Sequence, residues 1–278
     1  MHTRSLSPSP ALDDRVDRLR RLAQADPRLE GVLLYGSWTL GEADAHSDIE
    51  AYLYIQDDRL ADFDGPAFLE QLAPLKLAYT NMYGILAVVF DDLMRGEFHL
   101  TAAGAGIDEV PTWEGMVHLP RPDDAVLLDR TGRLTRAARR LAEFRPPEPA
   151  ATARQLIDEL TNWTLMLAHV LARGETARAH NLLHAVVAPQ QLQLCRLLRD
   201  STAHWLTPSR ALERDLPAAD RDRYTSTTAA ARHDDVRTAA RESWRWSRDL
   251  AAEAADRWTL HLPRGARGLH EEISGLLD

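Results

Sequence analysis

The sequence has very little cysteine and very little lysine, two residue types that often form metal sites and phosphate sites. It holds one cysteine, Cys195, among 278 residues, which excludes an internal disulfide and a zinc site built from cysteines. Cys195 lies at helical spacing among the apolar residues of QLQLCRLLRD, which favours a core position over nucleophilic chemistry. It also holds a single lysine, Lys76, so a side chain that clamps phosphate is expected to be an arginine.

Long hydrophobic runs and basic runs are also missing. No apolar run approaches the roughly 18–20 residues that span a bilayer, and the opening MHTRSLSPSP lacks the apolar stretch of a signal peptide. We therefore expect a cytoplasmic protein with no membrane segment. The net charge of −9 and the lack of a basic run predict that nucleic acid is not a partner. An acidic surface suits a small neutral or cationic substrate instead.

The sequence that remains divides into two regions of different character. A hydrophobic share of 45% allows a sizeable core. Before the proline-rich linker FRPPEPA at 144–150, an amphipathic helix over 11–24 precedes short apolar runs separated by turn formers. These runs predict strands over 31–35, 49–55, 84–90, 97–100 and 126–128, with a helix over 64–75. This region predicts an α/β (α+β) domain over 1–143.

Residues 151–278 are dominated by alanine, leucine, arginine and glutamate at helical spacing. The pattern predicts helices near 151–173, 175–204, 208–231, 233–258 and 267–277, with Pro189 placed to kink the second. The sequence therefore predicts a helical bundle over 151–278 that follows the α/β domain.

The most informative stretch joins Gly36 and Ser37 to Asp48 and Glu50. Gly36 and Ser37 follow the first apolar strand and begin a turn, where glycine, backbone N–H groups and a hydroxyl suit phosphate. Asp48 and Glu50 are two positions apart at a strand, so their carboxylates should project from one face. Two adjacent carboxylates repel unless a hard cation lies between them. The spacing therefore predicts a site for magnesium that carries triphosphate oxygens. A bare D-x-E more often marks a solvated edge strand, but its combination with the preceding Gly-Ser favours the metal site.

This pattern resembles the DNA polymerase β nucleotidyltransferase superfamily, in which Gly-Ser precedes an acidic pair flanking an apolar residue. Within that superfamily, YGSWTLGEADAHSDIEAYLYI and the later RGEFH at 95–99 are similar to the lincosamide nucleotidyltransferases, which inactivate lincomycin and clindamycin. Asn162-Trp163 and the segment from Arg173 to Arg178 also resemble them. The resemblance extends over about residues 12–275. It implies a nucleotidyltransferase domain with a mixed sheet, followed by a helical domain that closes the cleft and selects the acceptor.

The resemblance also implies roles for individual residues. Asp48 and Glu50 would hold two magnesium ions and take part in catalysis, while Gly36 and Ser37 would hold the β- and γ-phosphates. Glu97 occupies the place of the general base that takes the acceptor proton. Asp91 and Asp92 are nearby alternatives, although their position at the end of a strand is typical of caps.

Three further residues are candidates for ligand contacts. His99 lies two positions beyond Glu97 and would share its face in a strand, so it is a candidate for the substrate site, as is Trp163 in the helical region. Leu40 stands where a lysine is expected in the related bacterial enzymes, which leaves a triphosphate contact to Arg95, Arg173 or Arg178. Arg178 near a helix start is our candidate for nucleotide binding, with a solvated surface arginine as the alternative.

The expected function is transfer of a nucleoside monophosphate from an NTP such as ATP to a hydroxyl of a small antibiotic. A lincosamide is the first candidate acceptor, so the reaction would confer antibiotic resistance. An aminoglycoside or another natural product, and transfer to protein or tRNA, remain open. A non-catalytic nucleotide-binding protein on the same fold is a further alternative. Because the related enzymes often dimerise, the resemblance leaves a homodimer open.

Overall fold

The computed structural model describes residues 10–144, 146–260 and 266–278. The chain divides into two compact units, which comprise residues 1–145 and 146–278. We call them the sheet unit and the helical unit.

The sheet unit is built on strands that run in both parallel and antiparallel directions. In chain order they are β1 Leu29–Leu34, β2 Ile49–Ile55, β3 Leu75–Thr80, β4 Leu86–Phe90, β5 Arg95–Ala102 and β6 Val126–Asp129. Among the described residues they form one six-stranded sheet in the order β3-β4-β5-β2-β1-β6. Only the β2–β5 pair is parallel within this sheet, and its neighbours pair antiparallel. The predicted α/β class with a mixed sheet is confirmed.

Helices cover both faces of this sheet. They are α1 Pro10–Ala25, α2 Ser37–Leu40, α3 Gly65–Glu70, α4 Ala103–Glu109, α5 Pro122–Ala125 and α6 Arg133–Ala138, with 3₁₀ turns at Leu60–Asp62, Val110–Trp113 and Arg139–Leu141. In α1 the apolar residues Leu12, Val16 and Leu19 recur every three or four positions and are buried, as the sequence pattern predicts.

The alternation of side chains along β2 separates two hydrophobic cores. Ile49, Ala51 and Leu53 face the core that contains α1, whereas Tyr54 faces the core that contains α4 and α6. The second face carries charged groups where β2 and β5 begin, and this end of the sheet holds the candidate site.

Strand β3 is not among the predicted strands, and α3 is shorter than the helix predicted over 64–75. β3 is an edge strand whose residues are mostly exposed, so burial imposes no alternation of apolar residues that could identify it. Helix α3 ends at Glu70, and Asp64 caps its start by accepting a hydrogen bond from the Ala67 N–H at 3.0 Å. The strand predicted over 84–90 is therefore the fourth strand along the chain, β4.

The helical unit packs its helices around one hydrophobic core. They are α7 Pro149–Ala172, α8 Thr176–Leu182, α9 Ala188–Leu198, α10 Leu212–Asp215, α11 Ala218–Ser226, α12 His233–Trp258 and α13 Ala266–Leu277. The core draws residues such as Leu167 from α7, Cys195 from α9 and Trp244 and Trp246 from α12. Cys195 is buried, and burial raises the pKa of its thiol to about 12, which fits the core position predicted for it.

Two predicted helices of this unit are interrupted. The helix predicted over 175–204 contains a π-helical turn at Leu183–Val187, directly before α9, and α9 ends at Leu198. Pro189 in the first turn of α9 has no N–H to donate to the preceding turn, which accounts for the π-helical turn at Leu183–Val187. The helix predicted over 208–231 is two short helices, because Leu216 is extended and Pro217 is the N-cap residue of α11.

In the described parts of the chain, no helix combines the length and the apolar character needed to cross a membrane.

Candidate active site

The turn after β1 contacts β2 at Tyr35 and Gly36. The backbone N–H of Tyr35 donates to the carbonyl of Glu50 at 3.2 Å. Gly36 has φ of +77°, a left-handed conformation that favours glycine. A Cβ atom at this position would lie 1.8 Å from Oε2 of Glu50. The missing side chain of Gly36 therefore leaves room for the Glu50 carboxylate.

Ser37 begins α2 with a hydroxyl that has no hydrogen-bond partner among the described residues. The residue is only 8% exposed, and its Oγ makes no hydrogen bond to any described residue. An unsatisfied buried hydroxyl costs about 1–3 kcal/mol, so such groups are often completed by a ligand or water. Ser37 thus offers a hydrogen-bonding atom beside Gly36.

A tight turn delivers Asp48 to the start of β2. Oδ1 of Asp44 accepts hydrogen bonds from the His46 N–H at 2.8 Å and from the Ser47 hydroxyl at 3.2 Å. The hydrogen bond from the His46 N–H, chief among these contacts, keeps the pKa of Asp44 below its ordinary value. Asp48 follows immediately, one residue before β2 begins. Asp44 therefore has a structural role in the turn that carries Asp48.

The parallel register of β2 and β5 brings four charged side chains together. Glu50 lies directly opposite Glu97, and Ile49 lies opposite Gly96. Continuing this register one step places Asp48 opposite Arg95. We call Asp48, Glu50, Arg95 and Glu97 the charged quartet.

The charged quartet contains three carboxylates and one guanidinium. Arg95 Nη1 lies 3.6 Å from Oδ2 of Asp48, and its Nη2 lies 3.3 Å from Oε1 of Glu97. Glu50 and Glu97 are like charges directly opposite each other, an arrangement that destabilises strand pairing. A hard cation at this end of the sheet would remove that repulsion.

Tyr35 and His99 lie next to the charged quartet and form a hydrogen bond of 3.1 Å. Burial raises the pKa of Tyr35 far above its ordinary value, and the charges of nearby Glu50, Glu97 and Asp48 raise it further. Burial lowers the pKa of His99. The phenol is therefore protonated and the imidazole neutral near pH 7, so Tyr35 can donate to Nε2 of His99 while Nδ1 carries the proton.

Aromatic rings continue from His99 along the same face of the sheet. Tyr52 stacks on His99 with ring centroids 3.9 Å apart and an angle of 11° between the planes. Trp113, from a 3₁₀ turn, packs on Tyr52 with centroids 4.6 Å apart. These side chains are half-buried, so a ring-bearing ligand near Glu97 would meet an aromatic surface rather than an aliphatic one.

The oxygen atoms of Asp48, Glu50 and Glu97 fit the chemistry of a magnesium site. Among the described residues, no three acidic, histidine or cysteine side chains are already gathered as a complete metal cluster. Mg²⁺ is usually held by one or two carboxylates together with substrate phosphates and water. The carboxylates of Asp48 and Glu50 supply such a set, and Gly36 and Ser37 lie beside them.

The other predicted site residues have different surroundings. Trp163 lies in α7 and packs against the core of the helical unit. Arg178 in α8 pairs with Glu175 at 3.0 Å and is about half exposed. Asp92 accepts from the Met94 N–H at 3.1 Å and from Arg15 at 2.8 Å, so it serves the turn before β5.

Three aromatic side chains around the charged quartet, those of Tyr35, Tyr52 and Trp113, are not among the predicted site residues. Tyr35 directly precedes Gly36, and Tyr52 lies two positions after Glu50, so strand alternation offered a signal for Tyr52. Trp113 is far away in sequence and outside the strands, and no local pattern links it to the site.

Comparison with known proteins finds a family model that is similar to the helical unit. Residues 150–268 match the family model described as "Lincosamide nucleotidyltransferase-like, C-terminal domain". None of the curated proteins matches the chain in sequence. Among solved structures, the chain is similar to an aminoglycoside 6-adenyltransferase from Bacillus subtilis, at 13% identity and a TM-score of 0.45, with 94% of this chain and 98% of that chain covered.

The family match confirms the resemblance to the lincosamide nucleotidyltransferases, and with it the enzyme class, on a part of the chain separate from the charged quartet. The quartet lies in the sheet unit, ahead of the matched residues. The family model and the geometry of the sheet are therefore independent observations.

Proposed function

We propose that this nucleotidyltransferase-like chain transfers a nucleoside monophosphate from a magnesium-bound NTP to a hydroxyl group of an antibiotic, and that a lincosamide is the first acceptor to test. The lincosamide assignment rests on the family of the helical unit. The chemistry rests on the charged quartet of the sheet unit.

One observation carries this proposal: Glu50 and Glu97 are opposed in register at the start of two parallel strands, with Asp48 preceding β2. Two carboxylates at this end of the sheet can share a divalent cation with the phosphate oxygens of a bound NTP. Magnesium bound there would neutralise triphosphate oxygens and lower the barrier to phosphoryl transfer. Asp48 and Glu50 are the proposed ligands, since the Glu50 carboxylate lies against Gly36 in the turn.

The proposed general base is Glu97. Its side chain is 28% exposed, so an acceptor hydroxyl can approach it. A carboxylate within hydrogen-bond distance of that hydroxyl can take its proton as the oxygen attacks phosphorus. Pyrophosphate leaves as the new phosphate ester bond forms.

The proposed phosphate contacts begin with Ser37 and Gly36. The unpartnered hydroxyl of Ser37 can donate to a phosphate oxygen, and Gly36 presents backbone without a side chain. Arg178, in the helical unit, is the arginine that the sequence predicts for nucleotide binding. Its pairing with Glu175 involves half-exposed groups and is therefore weak enough to be exchanged for a phosphate.

The proposed acceptor contacts are His99 and Trp163. In the tautomer in which Tyr35 donates to Nε2 of His99, the Nδ1–H is the donor that remains for an acceptor oxygen. The stacked ring of Tyr52 fixes the orientation of His99. Trp163 is a half-buried indole on α7 that can cover an apolar part of the acceptor.

The test is a matrix of nucleotides and acceptors with pyrophosphate release as the readout. The four common NTPs are combined with clindamycin, lincomycin and two aminoglycosides in the presence of Mg²⁺, and products are identified by mass. Asp48→Asn is the matched inactive control, since it removes one charge with little change of shape. Pyrophosphate release that the variant retains, or the lack of a nucleotidylated product with any acceptor, would contradict the proposal.

An aminoglycoside is the second candidate acceptor, and charge is the observation that favours it. The chain has a net charge of −9, and the quartet carries three carboxylates to one guanidinium. A polycationic drug would be attracted by this field and a lincosamide much less so. The dependence of the rate on NaCl concentration therefore distinguishes the two acceptors. The reaction with an aminoglycoside should slow steeply as the salt concentration rises.

A further inference from the structure

Arg95 is the single guanidinium in the charged quartet, and it bridges two of the carboxylates. It starts β5, opposite Asp48 in the continued register and two positions before Glu97 on the same face. Its two terminal nitrogens contact different partners, at 3.6 Å from Asp48 and 3.3 Å from Glu97. Arg95 thus supplies positive charge to two carboxylates that the proposed reaction requires for other purposes.

The contacts of Arg95 are weak enough to be exchanged. Its side chain is 62% exposed, and those of Asp48 and Glu97 are 30% and 28% exposed. Ion pairs in such surroundings are screened by water and contribute little to stability. A divalent cation on Asp48 has twice the charge and direct coordination, so it should displace the guanidinium.

Once displaced, Arg95 remains tethered at the first residue of β5. Its guanidinium can then form two parallel hydrogen bonds with phosphate oxygens, a geometry that suits arginine better than lysine. Since Lys76 is the only lysine of the chain and lies in the edge strand β3, a lysine contact at this position is not available from β2 or β5.

We propose that Arg95 is a positioning residue with two successive partners. Without metal it holds Asp48 and Glu97 together, and on arrival of the metal-bound NTP it yields them and binds the triphosphate. The inference rests on the proposed function, because it takes Asp48 as a metal ligand. An ordinary surface ion pair would instead leave both metal affinity and nucleotide affinity unchanged when it is removed.

The experiment measures the two affinities separately and needs no turnover. Binding of Mn²⁺ alone is followed by the loss of the free-ion EPR signal, with the full chain and no nucleotide. Binding of a non-hydrolysable α,β-methylene NTP with saturating Mg²⁺ is followed by calorimetry. Both are measured for the unchanged protein, Arg95→Gln and Arg95→Lys.

Opposite shifts of the two affinities are expected for Arg95→Gln. Mn²⁺ should bind about fivefold more tightly, because no guanidinium competes for Asp48 and Glu97. The nucleotide analogue should bind about tenfold more weakly, because a charge-assisted pair of hydrogen bonds to phosphate is lost. Arg95→Lys should restore part of the nucleotide affinity.

Arg121→Gln is the matched control for a general change of charge. Arg121 also belongs to the sheet unit, is 60% exposed and lies 3.6 Å from its partner Asp124. Its removal should leave both affinities within twofold of the unchanged protein. If Arg121→Gln tightens Mn²⁺ binding as much as Arg95→Gln does, the effect is one of net charge and the exchange is refuted.

The failure of this inference can be told apart from failure of the proposed function. Mn²⁺ binding that Asp48→Asn abolishes but Arg95→Gln leaves unchanged or weakens would refute the exchange while supporting the metal site. Unaltered or tighter analogue binding by Arg95→Gln would also refute it. A chain with no Mn²⁺ binding that depends on Asp48, with or without nucleotide, would overturn the proposed function itself.

Discussion

Two groups of charged side chains in this protein differ in how deeply they are buried. The charged quartet of the sheet unit has three carboxylates, one guanidinium and open access to water. In the helical unit, Arg196 is fully buried, and all three of its guanidinium nitrogens have partners. Its donors are satisfied by the Pro208 carbonyl, the Ser201 carbonyl and hydroxyl, the Arg210 carbonyl and the Asp215 carboxylate.

The contrast follows from what each group is surrounded by. A buried charge without partners would cost several kcal/mol, so the Arg196 network has to be satisfied within the protein. Asp215 also bonds His204 at 2.7 Å and Arg214 at 3.0 Å. The quartet is half exposed, so water can stabilise its charges until a cation binds. A charged cluster near the surface is thus compatible with folding and suited to a ligand.

The largest expected effect is on activity, from changes at the acidic end of the quartet. Asp48→Asn and Glu50→Gln should each lower turnover by roughly 10³-fold or more, because a metal ligand is lost. Thermal unfolding should shift little, since the quartet loses a charge that contributes to its repulsion. Turnover and melting temperature are measured on the same preparations. Near-normal turnover of either variant in Mg²⁺ would show that the charged quartet is not a catalytic metal site.

The next effect tests the other side of the comparison. Arg196→Met should destabilise the protein by about 3–5 kcal/mol, because Asp215 and several carbonyls lose a buried partner. Arg223→Met is the control, since Arg223 forms an exposed pair with Asp249 that should contribute below about 1 kcal/mol. Urea unfolding at pH 7 measures both. Equal losses in the two variants would show that burial does not distinguish these pairs.

Glu97→Gln should have a smaller effect on turnover than the metal-ligand changes, about 10²-fold to 10³-fold, because only proton removal is impaired. Affinity for the non-hydrolysable NTP should change less than threefold. Asp92→Asn is the matched control, as its carboxylate serves a turn rather than the acceptor. Unchanged turnover in Glu97→Gln would remove it as the base.

The smallest expected effect is on the pH dependence of the free energy of unfolding. Burial by itself would raise the pKa of Asp215, but hydrogen bonds from His204, Arg214 and Arg196 lower it below its ordinary value. A carboxyl with a lowered pKa in the folded state contributes stability above its unfolded pKa of about 3.9, and that stability is lost as pH falls further. Urea unfolding between pH 5 and pH 3 should therefore be less pH-dependent in Asp215→Asn. The same slope in both proteins would contradict this account of Asp215.

Much of the sheet unit is predictable from the sequence because buried strands carry apolar residues at the positions that face a core. Strand β2 was predicted with the bounds that the structure has, since Ile49, Ala51, Leu53 and Ile55 all face one core. Edge strand β3 carries no such pattern and was missed. The prediction of one helix over 208–231 is wrong for a different reason. Its alanine and arginine content favours helix locally, but Pro217 and the extended Leu216 interrupt it.

The sequence by itself determined that Asp48 and Glu50 share a face, because alternate residues of a strand project to the same side. It also determined that Gly36 and Ser37 follow the first buried strand. Only the tertiary structure decided that Glu97 lies opposite Glu50 and that Arg95 reaches Asp48 and Glu97. The pairing of β2 with β5 joins residues 47 positions apart in a parallel register. Local preference cannot set such a register, because it depends on how both faces of the sheet are buried at once.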